Sequence, residues 1–150
     1  MRKRSNLSGL AGMVLAIAGL VSVPVIFAQK DESKFLQNDP AIYAALGKAP
    51  KKAVTRHNPL EKDPDSVTAG ANLFALRCAE CHGESAQGGH RGPSLRADAV
   101  RQATSGALFW LLSNGVVREG MPVWSKLPEP QRWQIISYLK SLEPAETPRQ

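Results

Sequence analysis

Two cysteines stand three positions apart in this chain of 150 residues, and a histidine follows the second: Cys78-Ala79-Glu80-Cys81-His82. Two thiols at that spacing near a helix end can bond the two vinyl-derived carbons of one porphyrin. The adjacent imidazole then reaches the iron from the same face, so the C-x-x-C-H run is the signature of covalent c-type haem attachment. Two other chemistries use parts of the run. A Cys78–Cys81 disulfide of the thioredoxin kind expects a preceding strand within an α/β pattern, whereas helical spacing surrounds the motif here. A zinc site needs further Cys or His ligands, and only His57 and His90 are left.

Haem iron takes a proximal histidine and, in cytochromes c, commonly a methionine on the other side. Of three methionines, Met1 and Met13 belong to the N-terminal apolar segment, which leaves Met121 in Gly120-Met121-Pro122, well downstream of His82. A methionine on a helix is more often core filler; Met121 lies in a loop between breakers and reads as the second axial ligand. His57 and His90 are its rivals. His90 follows His82 closely, in a glycine-rich loop, an awkward route to the opposite haem face. His57 reaches the iron only if its segment folds back.

Helices must position these groups. Asp65-Ser66 is a good N-cap pair, and Val67, Ala71, Phe74 and Cys78 then recur at helical spacing, which carries one apolar face up to the cysteines. Gly70 lies on or near that face, where a helix-interior glycine costs about 1 kcal/mol relative to alanine, so a close helix crossing is expected there. A second helix fits Thr104 to Ser113, capped by Thr104, ended by Asn114-Gly115 and burying Leu108, Leu111 and Leu112. The last starts near Pro128-Glu129-Pro130 and runs to Leu142, with Trp133 near its start and Ile135, Tyr138, Leu139 and Leu142 as its apolar stripe. No alternating strand of useful length is present. The expected fold class is all-α, a small helical domain over residues 65–143, with 144–150 as a tail. A domain that short is near the size at which a core needs a staple. Haem would supply one.

The remaining sequence speaks of export. After Arg2, Lys3 and Arg4 no charge occurs until Lys30, and Leu10 to Val23 is almost wholly apolar. Residues 1–28 therefore read as a signal peptide cleaved near Ala28, although Ile26 is a poor residue for that site. The run over residues 5–29 is uncharged throughout. As a helix it is long enough to cross a hydrocarbon core and remain instead as a membrane anchor. Either way the rest is expected in the periplasm or another extracytoplasmic space. Residues 29–64 are polar, broken by Pro40, Pro50, Pro59 and Pro64, and nearly charge-balanced. They read as a flexible or surface-hugging tether, with a short helix around Ala41 to Leu46 and a partner-docking arm as the alternative. The formal charge of +6 includes the three basic residues at the N-terminus. No arginine-rich stripe remains to track phosphates, which excludes nucleic acid as a partner.

From about residue 65 to 143 the chain resembles the class I mono-haem bacterial c-type cytochromes. The matching marks are Gly70 and Phe74, Cys78 to His82, Gly92-Pro93-Ser94-Leu95, Gly120-Met121-Pro122, and Ile135 with Tyr138. The resemblance implies that the first and last helices cross at a glycine and an aromatic residue. It also implies that the Pro93 carbonyl accepts a hydrogen bond from the His82 imidazole, fixing its tautomer. Trp110, Trp124, Arg91 and Arg96 become candidate neighbours of the haem edge or its propionates.

With His82 and Met121 filling both axial positions no substrate reaches the iron, and outer-sphere electron transfer is the expected activity. The partners implied are a dehydrogenase or quinol-oxidising complex as donor and an oxidase or other acceptor. Residues 66–143 carry eight basic and six acidic side chains, so strong electrostatic steering is not expected. The rival functions are a peroxidase-like haem enzyme and a gas-binding haem sensor, both with an open iron site. The first needs a distal acid–base group, for which His57 and His90 are the candidates. The second places its attachment motif near the C-terminus, whereas here His82 is followed by a large part of the chain.

Overall fold

A computed structural model describes residues 43–89 and 91–144. The N-terminal apolar segment, residues 29–42 of the expected tether, His90 and residues 145–150 lie outside the described residues. The helices are α1 (Lys51–Val54), α2 (Pro64–Arg77), α3 (Ala79–His82), α4 (Asp98–Gln102), α5 (Ser105–Asn114) and α6 (Glu129–Ser141). Single 3-10 turns occur at Leu46–Lys48 and Val117–Glu119. Among the described residues the only β pairing is one isolated antiparallel bridge, Val116 with Met121. The class is all-α, as the periodicity indicates. No helix among these residues is long and apolar enough to cross a membrane.

α2 starts slightly earlier than its Asp65-Ser66 signal. The carboxylate of Asp63 accepts a hydrogen bond from the Asp65 amide at 3.0 Å, and Pro64 fills the first helical position, where a missing N–H costs nothing. Ser66 is not the cap. It is buried, and its hydroxyl donates to the carbonyls of Asp63 and Leu60 at 2.6 and 3.1 Å.

Gly70 faces α6 across the closest approach of the fold. A Cβ built there would lie 1.9 Å from the Gln134 carbonyl oxygen and 3.0 Å from the Tyr138 Cβ. One turn on, Phe74 is buried against Tyr138, with ring centroids 5.2 Å apart. The helix-propensity cost of Gly70 is thus the condition for backbone-to-backbone contact.

α6 buries more of its surface than its expected stripe. Trp133, Ile135 and Leu139 are inside as the spacing indicates, but so are Ile136 and Ser137, while Tyr138 and Leu142 are only half-buried. The reason is that α6 is covered from several sides. α2 lies across one face, Phe109 of α5 stacks on Trp133 at 4.0 Å, and Asn58 donates to the Ser137 hydroxyl at 2.9 Å. α5 has the bounds its signals give. Thr104 accepts from the Ala107 amide at 3.2 Å, and Gly115 stops the helix at φ +67°.

Packed structure begins no later than Tyr43, well before Asp65-Ser66. Of the two forms expected for the tether, residues 43–62 take the surface-hugging one, as a strap across α5 and α6. Close backbone contact and hydrogen bonds hold it. The Ala53 carbonyl would be 2.0 Å from a Cβ at Gly106, so α1 lies directly on the start of α5. Thr104 donates to the Val54 carbonyl at 2.9 Å. Asn58 donates to the Trp133 carbonyl at 3.2 Å as well as to Ser137. Composition alone concealed this, because the strap is held by a handful of polar anchors and close backbone contacts rather than by an apolar stripe.

Gly70→Ala tests the crossing. On propensity alone alanine would stabilise α2 by about 1 kcal/mol; overpacking against Gln134 is expected to reverse the sign and cost about 1–3 kcal/mol net. Denaturant unfolding should show a lowered midpoint at unchanged slope. An alanine variant as stable as the parent would contradict the geometry.

Candidate haem site

The end of α2 and the single turn of α3 place the three motif side chains together. Cys78 closes α2, its amide donating to the Phe74 carbonyl at 2.8 Å. The Cys78 carbonyl then accepts from the amides of Cys81 and His82 at 3.1 and 3.0 Å. Positions three and four apart on one helical turn share a face, so both thiols and the imidazole turn toward the same space. The thiols are free and half-buried. Burial, with a smaller contribution from neighbouring Cys81, pushes the Cys78 thiol up to about 11. That is the reverse of the depressed thiol that marks a redox-active C-x-x-C pair, and it counts against the disulfide chemistry.

After His82 the chain turns through Gly83 and folds back on itself. The Gly88 amide donates to the His82 carbonyl at 2.8 Å, and the Leu95 amide to the Ala86 carbonyl at 2.9 Å. The loop so closed brings the Pro93 carbonyl oxygen 2.8 Å from His82 Nδ1. A carbonyl only accepts, so Nδ1 is the protonated nitrogen and Nε2 of the neutral ring keeps its lone pair. Burial lowers the His82 pKa from its ordinary value, against an opposing effect of the Pro93 hydrogen bond. The ring is thus held in the form that binds metals. Gly92 makes room for it, since a Cβ there would lie 3.0 Å from both Cε1 and Nδ1.

These groups open onto a cavity of about 860 Å³, within the usual size range of cofactor pockets, roughly 300–1,000 Å³. Its walls are largely apolar: Phe74 from α2, Leu95 and Val100 from the loop and α4, Leu108, Leu111 and Leu112 from α5, and Ile135, Ile136 and Leu139 from α6. Met121 lies on the wall as well. It is set there by a tight loop in which Val116 and Met121 exchange both backbone hydrogen bonds, at 3.0 and 3.2 Å. The Trp124 amide ties the end of that loop to the Leu112 carbonyl at 3.2 Å.

Trp110, Trp124 and Arg91 line the cavity, whereas Arg96 does not; its Nε donates to the Glu143 carbonyl at 2.9 Å and secures the C-terminal end of the fold. His57 is exposed and off the cavity even though its segment does fold back, because Asn58 pins that segment to α6 instead. His90 is outside the described residues. The sequence reading missed the strap's contribution to the wall, which comes from Tyr43, Leu46 and Lys48. The available signal was the pair Tyr43 and Leu46, two large apolar residues at helical spacing within the short apolar run 41–46.

Residues 65–139 match the family described as cytochrome c oxidase, cbb3-type, subunit III. The chain belongs to this family of class I c-type cytochromes. Cytochrome c550 of Pseudomonas aeruginosa is 28% identical over 146 residues, covering 95% of this chain and 97% of that one. The cytochrome bc1 complex cytochrome c subunit of Corynebacterium diphtheriae is 32% identical over 90 residues, 59% of this chain; the match spans only 31% of that protein. Among solved structures, cytochrome CL of Methylophaga aminisulfidivorans superposes with a TM-score of 0.52 at 27% identity, over 59% of this chain and 61% of its own.

The cofactor of this cytochrome is therefore a covalently attached haem c, and the site fits it. The cavity offers two free thiols, a neutral imidazole, a thioether and apolar walls. Of the charged residues that line it, Lys48, Arg77, Arg91 and Arg118 outnumber Glu80 and Glu119, an excess that two propionates would balance.

Gly92→Ala should press on the His82 ring and cost about 1–3 kcal/mol. Gly89→Ala, whose added Cβ meets the Cys81 carbonyl at an ordinary 3.4 Å, should stay within about 0.5 kcal/mol of the parent. Unfolding of the two haem-loaded variants side by side checks this, and equal stabilities would contradict it.

Proposed function

We propose that this cytochrome is an exported one-electron carrier rather than an enzyme. In this reading Cys78 and Cys81 would hold haem c through two thioethers, each made by adding S–H across a vinyl group, which requires no oxidant. His82 and Met121 would be the side chains that bind its iron, and Pro93 holds the His82 tautomer. When bound, haem c supplies one-electron chemistry, its iron cycling between ferric and ferrous.

The observation that carries the reading is that Met121 stands on the wall of the same cavity as His82. Methionine ligation favours the reduced state and raises the potential. The apolar walls act in the same direction, because they disfavour the extra positive charge of ferric iron. With His82 and Met121 both binding the iron, the protein's work would be to transfer electrons and suppress other iron chemistry. His57, the one described histidine outside the attachment motif, gives no support to an open-site catalyst, since it is away from the cavity.

The donor in this proposal is a dehydrogenase or quinol-oxidising complex and the acceptor an oxidase or other redox protein. Residues 1–28 direct the chain across the cytoplasmic membrane, where it works in the periplasm or stays tethered to the membrane surface. The near balance of cavity-edge and propionate charge predicts association that depends only weakly on salt.

Met121→Ala is the direct test of the axial assignment. The variant should keep its haem through denaturation yet bind added imidazole or cyanide far more readily than the parent. Parent-like titrations would remove Met121 from the iron. The double variant Cys78→Ala with Cys81→Ala should carry no covalent haem, and haem surviving denaturation there would refute the attachment.

A further inference from the structure

The Pro93 carbonyl orients His82, so whatever holds the chain at Ser94, the next residue, helps to hold the imidazole. Within the loop, the Leu95 amide is tied to Ala86 and the Arg96 amide to the Ser94 hydroxyl at 3.2 Å. One further anchor comes from outside. The Tyr43 hydroxyl donates to the Ser94 carbonyl at 2.9 Å, from a point far back in the sequence. Ser94 is 7% exposed and Tyr43 8%, so that carbonyl has little water to replace a lost donor. Burial also raises the Tyr43 pKa above its ordinary value, which keeps the hydroxyl protonated. Tyr43 lies outside residues 65–139, the part that matches the family, and its ring forms part of the cavity wall.

We infer that Tyr43 is a positioning residue for the proximal ligand, clamping the Ser94–Leu95 peptide from the strap so that the adjoining Pro93 carbonyl stays on His82 Nδ1. The strap at residues 43–62 is then a working part of the haem site as well as a cover. Its anchors at Gly106, Thr104 and Asn58 fix where Tyr43 can stand. This inference rests on His82 being the proximal ligand.

The test uses the full haem-loaded chain and Tyr43→Phe, which keeps the ring on the wall and removes only the donor. The readout is deuterium exchange of the His82 Nδ1–H by NMR, set against backbone amides of α2 and α6. The variant should exchange the ring proton about tenfold faster or more, because a buried carbonyl has lost its partner and the loop opens more often. Amides of α2 and α6 should exchange as in the parent. An unchanged ring-proton rate overturns the inference, as does an acceleration shared equally by the helix amides, which would mean general loosening. The parent's ferric spectrum separates the two levels of the argument. If its His82 ring signals carry no iron-induced shift, the ligand assignment falls and the inference with it. If they are shifted and Tyr43→Phe exchanges like the parent, the inference alone falls.

Discussion

With no side chain at Gly70, α2 comes close enough to α6 for its backbone to rest on the Gln134 carbonyl, and the direction of both helices follows from that contact. Phe74 must then pack on Tyr138, and Cys78, one turn further, must emerge at the edge of the space that α5 and α6 enclose. The motif turn is carried to its place by this crossing. A domain of this size has little apolar surface to spare, yet apolar side chains from α2, α4, α5, α6 and the loop before α4 line a cavity as well as packing on one another. A large flat apolar group in that space would complete the packing. Covalent attachment keeps the group there through every redox cycle.

Two loops of opposite construction meet the cavity. On one side a closed loop of backbone hydrogen bonds between His82 and Leu95 holds the imidazole through Pro93. On the other, the Val116–Met121 bridge and the Trp124 tie hold the thioether. Both are anchored by main-chain groups, which fix the backbone from which His82 and Met121 project. That rigidity suits electron transfer, in which coordination must stay the same in both oxidation states. The strap adds a third wall and, through Tyr43, reaches the loop behind the imidazole.

The helical fold, the attachment motif and the methionine on the cavity wall were legible because each left a local signal. C-x-x-C-H is contiguous, Thr104 and Gly115 bracket α5, and elimination left a single methionine. Gly70 stood out as a glycine that helix propensity disfavours and only a crossing explains. The strap was not legible for a physical reason. It is joined to the body by Tyr43, Asn58, Thr104 and a glycine on α5, single contacts between positions far apart in the chain, and none produces a periodic pattern. The extra burial of Ile136 and Ser137 escaped for the same reason, since it depends on what else covers α6. The family resemblance made Arg96 a candidate neighbour of the haem, but its partner is the carbonyl of Glu143.

The central claim is that one haem sits in this cavity between His82 and Met121. The visible absorption spectrum tests it most directly, taken on the full chain, oxidised and then reduced, after export from a host that matures c-type cytochromes. A c-type spectrum whose ferric form carries the weak far-red band of methionine-bound iron is expected. Covalent haem without that band would contradict the claim and make an open iron or a histidine sixth ligand the better description.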